Sequence, residues 1–500
     1  MSAPASKPSR ASRSADFGQW YLDVVRDAEL ASYAPVRGCI VVRPYGFALW
    51  ENVRDALDRR IKETGHENIY LPLLVPESLL ATEAEHVEGF SPQVAWVTHG
   101  GADELTERLA IRPTSEAMVG AVYRDLIQSY RDLPVLVNQW ANVVRWELRT
   151  RPFLRTAEFL WQEGHTFHAS AAEAHEEAER MLGVYREIWH DWLAVPTITG
   201  SKSEAEKFPG ADVTMTGEAL MGDRRALQMG TSHDLGSNFA RAFDIRFLDR
   251  DNERRHPFGT SWGFSWRTIG AVIMVHGDER GLIVPPRIAP TQVVIVPIWR
   301  TLEEQAVVEA AIAPVEAGLR TRAVFGDQRI RVRVDRRDDV TPGFKFNDWE
   351  LRGVPIRLEV GPRDVAAGTI AVVERLPATD VTDGTGAKES VSIDQIAVDV
   401  AARLERIQTR LLERATTFQR ANTHRVATWD ELVETNAAQG GFLVIGWCGS
   451  AACERDVQTT TGATLRVLPF EGEIEQLEPP TACVRCGASA SETAVFARAY

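Results

Sequence analysis

Residues 139–169 read QWANVVRWELRTRPFLRTAEFLWQEGHTFHA, and the prediction of the fold starts from this segment. A first apolar run ends at Arg145 and Glu147, an arginine-rich segment follows, and a second apolar run begins at Phe159. This pattern predicts an antiparallel hairpin with a basic loop. Arg145 and Glu147 share one strand face, and the five-donor fork of arginine suits carboxylate and phosphate oxygens. The hairpin therefore suits a nucleoside triphosphate, although R-x-E alone is also found in surface hairpins with ordinary ion pairs.

Composition sets broad limits on the rest of the chain. Its 500 residues suggest roughly three domains, and 44% apolar with 25% charged residues is typical of soluble globular proteins. Without a long uncharged apolar run, no membrane span is expected. The net charge of −14 argues mildly against a protein that simply coats nucleic acid. The polar, basic residues 1–15 predict a disordered tail rather than a secretory signal, and the five cysteines suggest a reduced, cytoplasmic setting.

Two segments before the hairpin carry helix signals. Residues 46–65 have apolar side chains at helical spacing and predict an amphipathic helix, followed by an apolar strand over 69–76 in which Pro72 marks an edge or an interface. Residues 109–117, LAIRPTSEA, lead into a helix predicted to run to about residue 130. Thr114 is its predicted N-cap and Glu116 lies in the first turn, so capping alone would explain both residues.

Three segments follow the hairpin. Residues 171–192 predict a core helix that begins with a capping box of Ser170 and Glu173. Residues 226–236, ALQMGTSHDLG, place His233 in a polar setting, as a general base or as an ordinary loop histidine. Residues 262–271, WGFSWRTIGA, predict a glycine-rich strand with Arg267 directly before an apolar helix.

In this order, the segments resemble the class II aminoacyl-tRNA synthetases in their prolyl form. The helix and strand at 46–76 resemble motif 1, the dimer interface of the family; residues 145–166 resemble motif 2, and 262–271 resemble motif 3. Trp266 departs from the small polar residue expected there, which puts the rim of the pocket in doubt. Motifs 2 and 3 lie about 120 residues apart, too close for the large editing insertion of many bacterial relatives. The chain thus resembles the archaeal and eukaryotic-type branch, and in-cis editing of mischarged alanine is in doubt.

The resemblance implies two groups of site residues. A proline pocket is expected from Thr114, Glu116, Arg145, Trp161, Glu163, His165 and His233. A site for ATP with Mg²⁺ is expected from Arg145, Glu147, Arg155, Thr156, Phe159, Gln228, Ser265 and Arg267. Arg145 would bridge the proline carboxylate and the α-phosphate, Glu147 would meet the adenine amino group, Phe159 would stack on the ring, and Arg267 would bind the terminal phosphate. Arg145 and Arg267 are therefore the predicted catalytic residues.

After Pro290, alternating strands and helices predict a mixed sheet of about five strands. The resemblance makes this the anticodon-binding domain, in which guanine edges would be read by Glu350, Arg357, Arg363 and Asp364. Ordinary charged surface is the alternative for each of them. Residues 329–337, RIRVRVDRR, predict an edge strand that either is solvated or contacts RNA.

A long polar helix over about 394–422 leads into the last domain. There, Cys448-x4-Cys453 and Cys483-x2-Cys486 are separated by 29 residues, and paired cysteines in a reduced compartment suit tetrahedral Zn²⁺. Disulfides are the alternative, but nothing in the sequence suggests export. Four thiolates leave no open position, so the zinc is expected to be structural. Cys39 is expected to be a buried apolar residue.

The sequence thus predicts a multidomain α+β and α/β protein. A disordered tail at 1–15 would precede a class II catalytic domain at 16–288, with an antiparallel sheet flanked by helices. A mixed α/β anticodon-binding domain at 289–392 and a small zinc-binding α+β domain at 393–500 would follow. The expected activity is proline–tRNA ligation by a cytoplasmic homodimer acting on L-proline, ATP and tRNA(Pro). A sibling synthetase for another small amino acid and a catalytically inactive paralogue that binds RNA are the alternatives; the first should replace Glu116, and the second should lose Arg145 or Arg267.

Overall fold

The computed structural model describes residues 10–86, 93–146, 149–377, 388–474 and 480–500. The α-helices in these ranges are α1 Phe17–Asp27, α2 Pro44–Glu63, α3 Glu77–His86, α4 Glu116–Leu126, α5 Ala171–Glu187, α6 Asn238–Ala242, α7 Arg267–His276, α8 Leu302–Thr321, α9 Pro342–Leu351, α10 Pro362–Ala366, α11 Ile396–Ala421, α12 Trp429–Ala438 and α13 Ala451–Thr461. None of these helices combines the length and apolar character that crossing a bilayer requires.

Strands organise the described chain into one large sheet, a five-stranded sheet and several small ones. The strands are β1 Ala31–Tyr33, β2 Ile40–Val42, β3 Glu67–Asn68, β4 Leu74–Pro76, β5 Trp96–Gly100, β6 Asp103–Ile111, β7 Val135–Val144, β8 Glu158–His168, β9 Ile198–Ser201, β10 Val213–Leu220, β11 Ala226–Gly236, β12 Phe247–Leu248, β13 Arg254–Arg255, β14 Phe258–Ser265, β15 Val293–Pro297, β16 Ala323–Val324, β17 Gln328–Arg329, β18 Val332–Val334, β19 Ile356–Val360, β20 Thr369–Glu374, β21 Glu389–Ser392, β22 Thr423–Arg425, β23 Phe442–Trp447, β24 Thr464–Pro469 and β25 Glu492–Ala497.

The predicted hairpin lies near one end of the large sheet, between β14 and the short edge strand β3. β7 and β8 pair antiparallel with Gln139 opposite Glu163, and β8 pairs in turn with β14. Two tryptophans, one in the turn after α5 and one on β14, leave no space for a side chain at two strand positions, and both positions are glycine. A Cβ atom at Gly217 would lie 2.1 Å from Trp189, and one at Gly164 would lie 2.1 Å from Trp262. The apolar face of α5 and these tryptophans belong to the largest hydrophobic core, which supports the hairpin from behind.

Three local predictions need correction. The strand expected over 69–76 is limited to β4 at its end, with a two-residue β3 before it. Between them, the backbone N–H of Leu71 donates to the Gln139 side chain instead of to a strand carbonyl. Thr114 is not the N-cap of α4; Ser115 is, and the Thr114 hydroxyl donates to Glu116 instead. This helix ends at Leu126, short of residue 130, and a 3-10 turn follows at Tyr130–Asp132.

The five-stranded mixed sheet confirms the predicted second region. Its strand order is β18-β15-β19-β20-β21, with β15 pairing parallel to both neighbours and β19 pairing antiparallel to β20. β18 is an edge strand, as the RIRVRV pattern predicts. Arg331 donates to the carbonyls of Ala289, Pro286 and Arg287, and Arg337 pairs with Asp335, so these two arginines serve internal contacts.

The long helix α11 leads into β22–β25, which carry the last hydrophobic clusters. These strands do not form a sheet of their own. β24 pairs antiparallel with β9, with Leu468 opposite Ser201, so the C-terminal strands extend the large sheet to eleven strands. This junction brings side chains of the C-terminal strands toward the sheet that carries the predicted site.

Candidate active site and cysteine cluster

A cavity of about 330 Å³ opens on the large sheet between β8, β11 and β14. It is lined by all seven residues predicted for the amino acid: Thr114, Glu116, Arg145, Trp161, Glu163, His165 and His233. Side chains alternate along a strand, so Trp161, Glu163 and His165 face the same side of β8. The antiparallel pairing of β8 with β7 and β14 fixes their positions, whereas Thr114 and Glu116 come from the start of α4.

The floor of this cavity is a closed network of hydrogen bonds around Glu163. Its carboxylate accepts from the Ser115 hydroxyl and, at 2.9 Å, from Nε2 of Gln139, and it lies 3.4 Å from Nε2 of His165. Burial opposes a charge on either member of the pair. The hydrogen bond between them nevertheless lowers the pKa of Glu163 and, with the charge of Glu116, raises that of His165. Glu163 therefore carries a charge that the floor itself neutralises.

Glu116 is the carboxylate that this cavity offers to a cationic ligand. It is 7% exposed, and its hydrogen-bond donor in the described chain is the hydroxyl of Thr114. No arginine or lysine of the described residues forms an ion pair with it. A buried carboxylate without a guanidinium or ammonium partner among the described side chains favours binding of an ammonium group.

His233 occupies the opposite wall as a neutral ring. Its Nδ1 lies 3.0 Å from the Thr214 hydroxyl, and the ring stacks on Phe208 with 4.6 Å between centroids. Burial and the nearby His165 lower the pKa of His233 to about 3. An uncharged, stacked imidazole at neutral pH shapes the pocket and does not repel a cationic ligand.

A second cavity, of about 660 Å³, adjoins the first. Both are lined by Arg145, Phe159, Ser265 and Arg267, and the second alone is lined by Arg155 and Thr156. Gln228 lines the first cavity. Of the residues predicted for ATP, Glu147 lies outside the described residues. A ligand in one cavity and a ligand in the other would therefore meet at the two shared arginines.

The two shared arginines are held in different ways. The guanidinium of Arg145 lies 5.4 Å from the ring centroid of Phe159 and 5.5 Å from that of Trp161, and its Nε donates to the carbonyl of Pro113 at 3.1 Å. Arg267 is the first residue of α7, and its Nε donates to the carbonyl of Leu154 at 3.2 Å. Burial, with repulsion from Arg145, lowers the pKa of Arg267 to about 10, so the Arg267 side chain remains cationic at neutral pH. This concentration of positive charge favours a polyanion.

Several residues around the cavities were not predicted. Lys207 and Phe208 line the first, whereas Arg151 and Arg225 line the second. The C-terminal Tyr500, which the family resemblance placed near the active site, also lines the second. The arginine-rich loop and the loop at 200–211 were visible as polar segments, but their sequences do not show which side chains turn inward. Trp266, the departure from the family pattern, is 6% exposed, lines the second cavity and packs edge-on against Phe153.

The four residues predicted to read the anticodon lie on three elements of the second region. Glu350, at the end of α9, accepts a 2.7 Å hydrogen bond from Arg280 in the segment that follows α7. Arg357 on β19 pairs with Glu359 and lies over the ring of Phe346. Arg363 is exposed on α10, and Asp364 accepts from the backbone N–H of Gly361 at the start of that helix. Their role in reading RNA stays a prediction.

The four C-terminal cysteines come together as predicted. Cys448 follows β23, Cys453 lies in α13, and Cys483 and Cys486 share a turn before β25. All four Sγ atoms lie within 4.8 Å of one another, at 3.7 Å for Cys448 and Cys453 and 3.8 Å for Cys448 and Cys486. All five cysteines of the chain are described, and each is a free thiol, so the cluster can hold a metal ion.

Comparison with known proteins agrees with this architecture. Residues 96–276 match the tRNA synthetase class II core domain (G, H, P, S and T), 292–403 match the anticodon binding domain, and 429–500 match the C-terminal domain of prolyl-tRNA synthetase. The chain is 51% identical over 490 residues to a proline–tRNA ligase of Natranaerobius thermophilus, covering 98% of this chain and 97% of that relative. The chain belongs to the prolyl-tRNA synthetases.

Other members of the prolyl-tRNA synthetase family match over similar lengths. A proline–tRNA ligase of Rubrobacter xylanophilus is 53% identical over 98% of both chains, and a chloroplastic/mitochondrial proline–tRNA ligase of Arabidopsis thaliana is 48% identical over 98% of this chain and 88% of its own. The family assignment inferred from the motifs is therefore confirmed. Class II synthetases are ATP-dependent ligases that use Mg²⁺, and their aminoacylation substrates are an amino acid, ATP and tRNA.

Proposed function

We propose that the chain activates L-proline with ATP and transfers it to the 3′ end of tRNA(Pro). One observation carries the assignment of the site: the cavity that contains the buried Glu116 and the cavity rich in arginines share Arg145 and Arg267. An amino acid held by its ammonium at Glu116 would thus direct its carboxylate toward the arginines that hold a triphosphate. This is the arrangement that adenylation requires.

The first step needs positioning and charge neutralisation rather than a protein nucleophile. A carboxylate oxygen of proline attacks the α-phosphate, the bond from the α-phosphorus to the bridging oxygen breaks, and pyrophosphate leaves with that electron pair. Arg145 lies where it would contact both the proline carboxylate and the α-phosphate, and Arg267 would bind the terminal phosphate. Mg²⁺, when bound to the phosphates, would withdraw charge from the leaving group.

In the second step, a terminal ribose hydroxyl of tRNA attacks the carbonyl of prolyl-adenylate and AMP leaves. The proposed readers of the anticodon are Glu350, Arg357, Arg363 and Asp364. Support for them comes from their placement in the region that matches the anticodon binding domain. Arginine forks and carboxylates suit the acceptor and donor edges of unpaired guanine.

Selectivity for proline is proposed to come from Glu116 with Thr114 and from the apolar wall of Trp161 and Phe208. A secondary ammonium offers two N–H donors, which the Glu116 carboxylate can accept in a partly dry pocket. Apolar walls discriminate by only about 10- to 200-fold per methylene, so alanine and cysteine should be activated weakly.

We also propose that the cysteine cluster binds one structural Zn²⁺. Zinc–sulfur bonds of about 2.3 Å in a tetrahedron place the sulfurs about 3.8 Å apart. The Sγ distances of 3.7 and 3.8 Å fit this spacing before any ion is added. With four thiolates as ligands, no position is left for substrate, and the ion would tie α13 to the turn before β25.

A cytoplasmic homodimer is proposed as the working state. Free thiols support the compartment. Tyr70 is 77% exposed and Leu74 is 37% exposed in the region that resembles motif 1, and large apolar side chains at the surface favour a protein partner. Sedimentation of the unchanged protein and of Tyr70→Glu tests this, since an unchanged protein that sediments as a monomer at micromolar concentration would contradict it.

The experiment that tests the activity is pyrophosphate exchange with ATP across the twenty amino acids, without tRNA. Exchange that depends on proline, with weak alanine or cysteine signals, is expected. Exchange with a different amino acid would identify a sibling synthetase. Folded protein that binds tRNA but exchanges with none of the twenty would be a catalytically inactive paralogue.

A further inference from the structure

A buried glutamine flanks the floor of the amino-acid cavity. Gln139 on β7 is 1% exposed, stands opposite Glu163 on β8 and lines neither cavity. Within the described chain its amide makes three hydrogen bonds, one to the segment between β3 and β4 and two to the floor. An amide accepts at one end and donates at the other, so Gln139 can join two parts of the structure that do not otherwise meet in this way.

The backbone fixes one end of this amide. The N–H of Leu71 donates to Oε1 of Gln139 at 2.6 Å. Because a backbone N–H can only donate, the amide turns its oxygen to Leu71 and its NH₂ group to the floor. Leu71 is itself held in place, since its carbonyl accepts from the Arg112 guanidinium at 2.8 Å. The orientation of the Gln139 amide is therefore set from the segment between β3 and β4.

The other end of the amide holds two groups of the floor. Nε2 of Gln139 donates to Oε1 of Glu163 at 2.9 Å and to the Ser115 hydroxyl at 3.1 Å, which uses both of its protons. The Ser115 hydroxyl in turn donates to the same oxygen of Glu163. Ser115 is the N-cap residue of α4, yet its side chain makes no capping hydrogen bond. Its hydroxyl therefore serves the carboxylate rather than the helix.

These bonds determine which oxygen of Glu163 meets His165. With Oε1 held by the amide and the hydroxyl, Oε2 is the oxygen that lies 3.4 Å from Nε2 of His165. Burial raises the pKa of this carboxyl, but its hydrogen bonds, that with His165 first and those with Ser115 and Gln139 next, lower it below the usual range. Without the amide, the buried carboxylate would lack a donor, which favours its protonation. A protonated His165 would then lose its partner and repel the ammonium of an amino acid.

We propose that Gln139 is a positioning residue for the amino-acid cavity, holding the Glu163 carboxylate in the orientation that pairs it with His165. This inference rests on the proposed activity and extends its amino-acid site to a residue that does not line the cavity. Neither Glu163 nor His165 lines the second cavity, so the effect of Gln139 is confined to the amino acid and does not reach ATP.

The test compares KM for proline with KM for ATP in proline-dependent pyrophosphate exchange. Gln139→Met keeps the length of the side chain and removes the amide. It should raise KM for proline about tenfold, as the loss of one hydrogen bond to an ionised group does, and leave KM for ATP within about twofold. Purely structural damage would reduce the active fraction and kcat without separating the two KM values.

Ser115→Ala keeps the test decisive if Gln139→Met fails to fold. It removes the second donor to Oε1 of Glu163 and no capping hydrogen bond, so α4 keeps its start. It should likewise raise KM for proline and leave KM for ATP within about twofold.

The matched control is Gln292→Met. Gln292 is fully buried and lines neither cavity, and its amide also joins two backbone groups: it accepts from the N–H of Arg331 and donates to the carbonyl of Pro286, both at 2.9 Å. This variant should lower the melting temperature and leave both KM values unchanged.

The inference is overturned if folded Gln139→Met or Ser115→Ala keeps the KM for proline of the unchanged protein, or raises KM for ATP as much as KM for proline. It is also overturned if Gln292→Met raises KM for proline to the same extent. The proposed activity fails separately and visibly, because the unchanged protein would then show no exchange with proline.

Discussion

Glu163 and His165 meet at 3.4 Å at the floor of the amino-acid cavity, where they are 2% and 3% exposed. They stand two positions apart on β8, so the strand holds their side chains on one face. Burial alone would favour the neutral form of each side chain. The hydrogen bond between them favours the charged form of both. The floor of the cavity is therefore rigid and internally neutral, which leaves Glu116 as the acceptor for a cationic substrate.

The stability that this pair contributes should depend on pH with a maximum in the weakly acidic range. The pKa of His165 is raised above 6.5, so its contribution is complete below 6.5 and is lost as the pH rises through the raised value. The pKa of Glu163 lies below 4.5, so its contribution is present above 4.5 and is lost as the pH falls through the lowered value. A double-mutant cycle of Glu163→Gln and His165→Gln, followed by denaturant unfolding, should give a coupling of about 1–3 kcal/mol between pH 4.5 and 6.5 and a smaller one at pH 9. A coupling that is constant from pH 5 to 9 would contradict an ionised pair.

Replacing Glu116 should weaken proline specifically. Glu116→Gln keeps the size of the side chain and removes the charge, so KM for proline in pyrophosphate exchange should rise by about 10- to 150-fold, the range for losing a hydrogen bond to a charged group. KM for ATP should stay within about twofold, because Glu116 lines only the first cavity. A useful comparison is Glu104→Gln on β6, whose exposed carboxylate lies outside both cavities and should have no effect.

Replacing Arg267 should instead weaken the use of ATP. Arg267→Met removes a guanidinium at the junction of the cavities and should reduce kcat/KM for ATP by about 10²–10³-fold, as the loss of one preorganised donor to a developing charge does. Arg267→Lys keeps the charge but loses the planar fork, so an intermediate loss is expected. Steady-state exchange at varied ATP, with the melting temperature as a check on folding, measures both. Equal activity of the methionine and lysine variants would show that charge at this position is unimportant.

The elements that sequence could predict are those whose signals are local. Two apolar runs around a basic loop predict the β7–β8 hairpin. The glycine-rich strand before α7 likewise marks Arg267, which is the first residue of that helix. Thr114 was misassigned because a hydroxyl before a helix suits either a cap or a nearby carboxylate, and here Glu116 competes successfully with the backbone. A single sequence does not contain the outcome of that competition.

Long-range pairing was beyond local signals. β24 joins β9 across more than 250 residues of sequence, and nothing in either strand specifies the other. No local pattern singles out Arg466 on β24 or Glu218 on β10, although the two side chains pair at 3.0 Å across this junction and Glu218 is fully buried. The two cysteine pairs were predictable although 29 residues separate them, because paired cysteines at such spacings are typical of zinc sites.

The cysteine cluster gives the last prediction, which separates a structural metal from a coincidence of thiols. The purified protein should contain about one Zn²⁺ per chain by atomic emission, and Cys448→Ala should contain substantially less, because three thiolates hold the ion less tightly than four. The melting temperature of Cys448→Ala should fall below that of the unchanged protein, since Zn²⁺ would link α13 to the turn before β25 and so stabilise the C-terminal strands. Cys39→Ser is the matched control: Cys39 is a free thiol outside the cluster, so its loss should leave the zinc content unchanged. If Cys448→Ala retains full zinc content and stability, the four sulfurs are not its ligands.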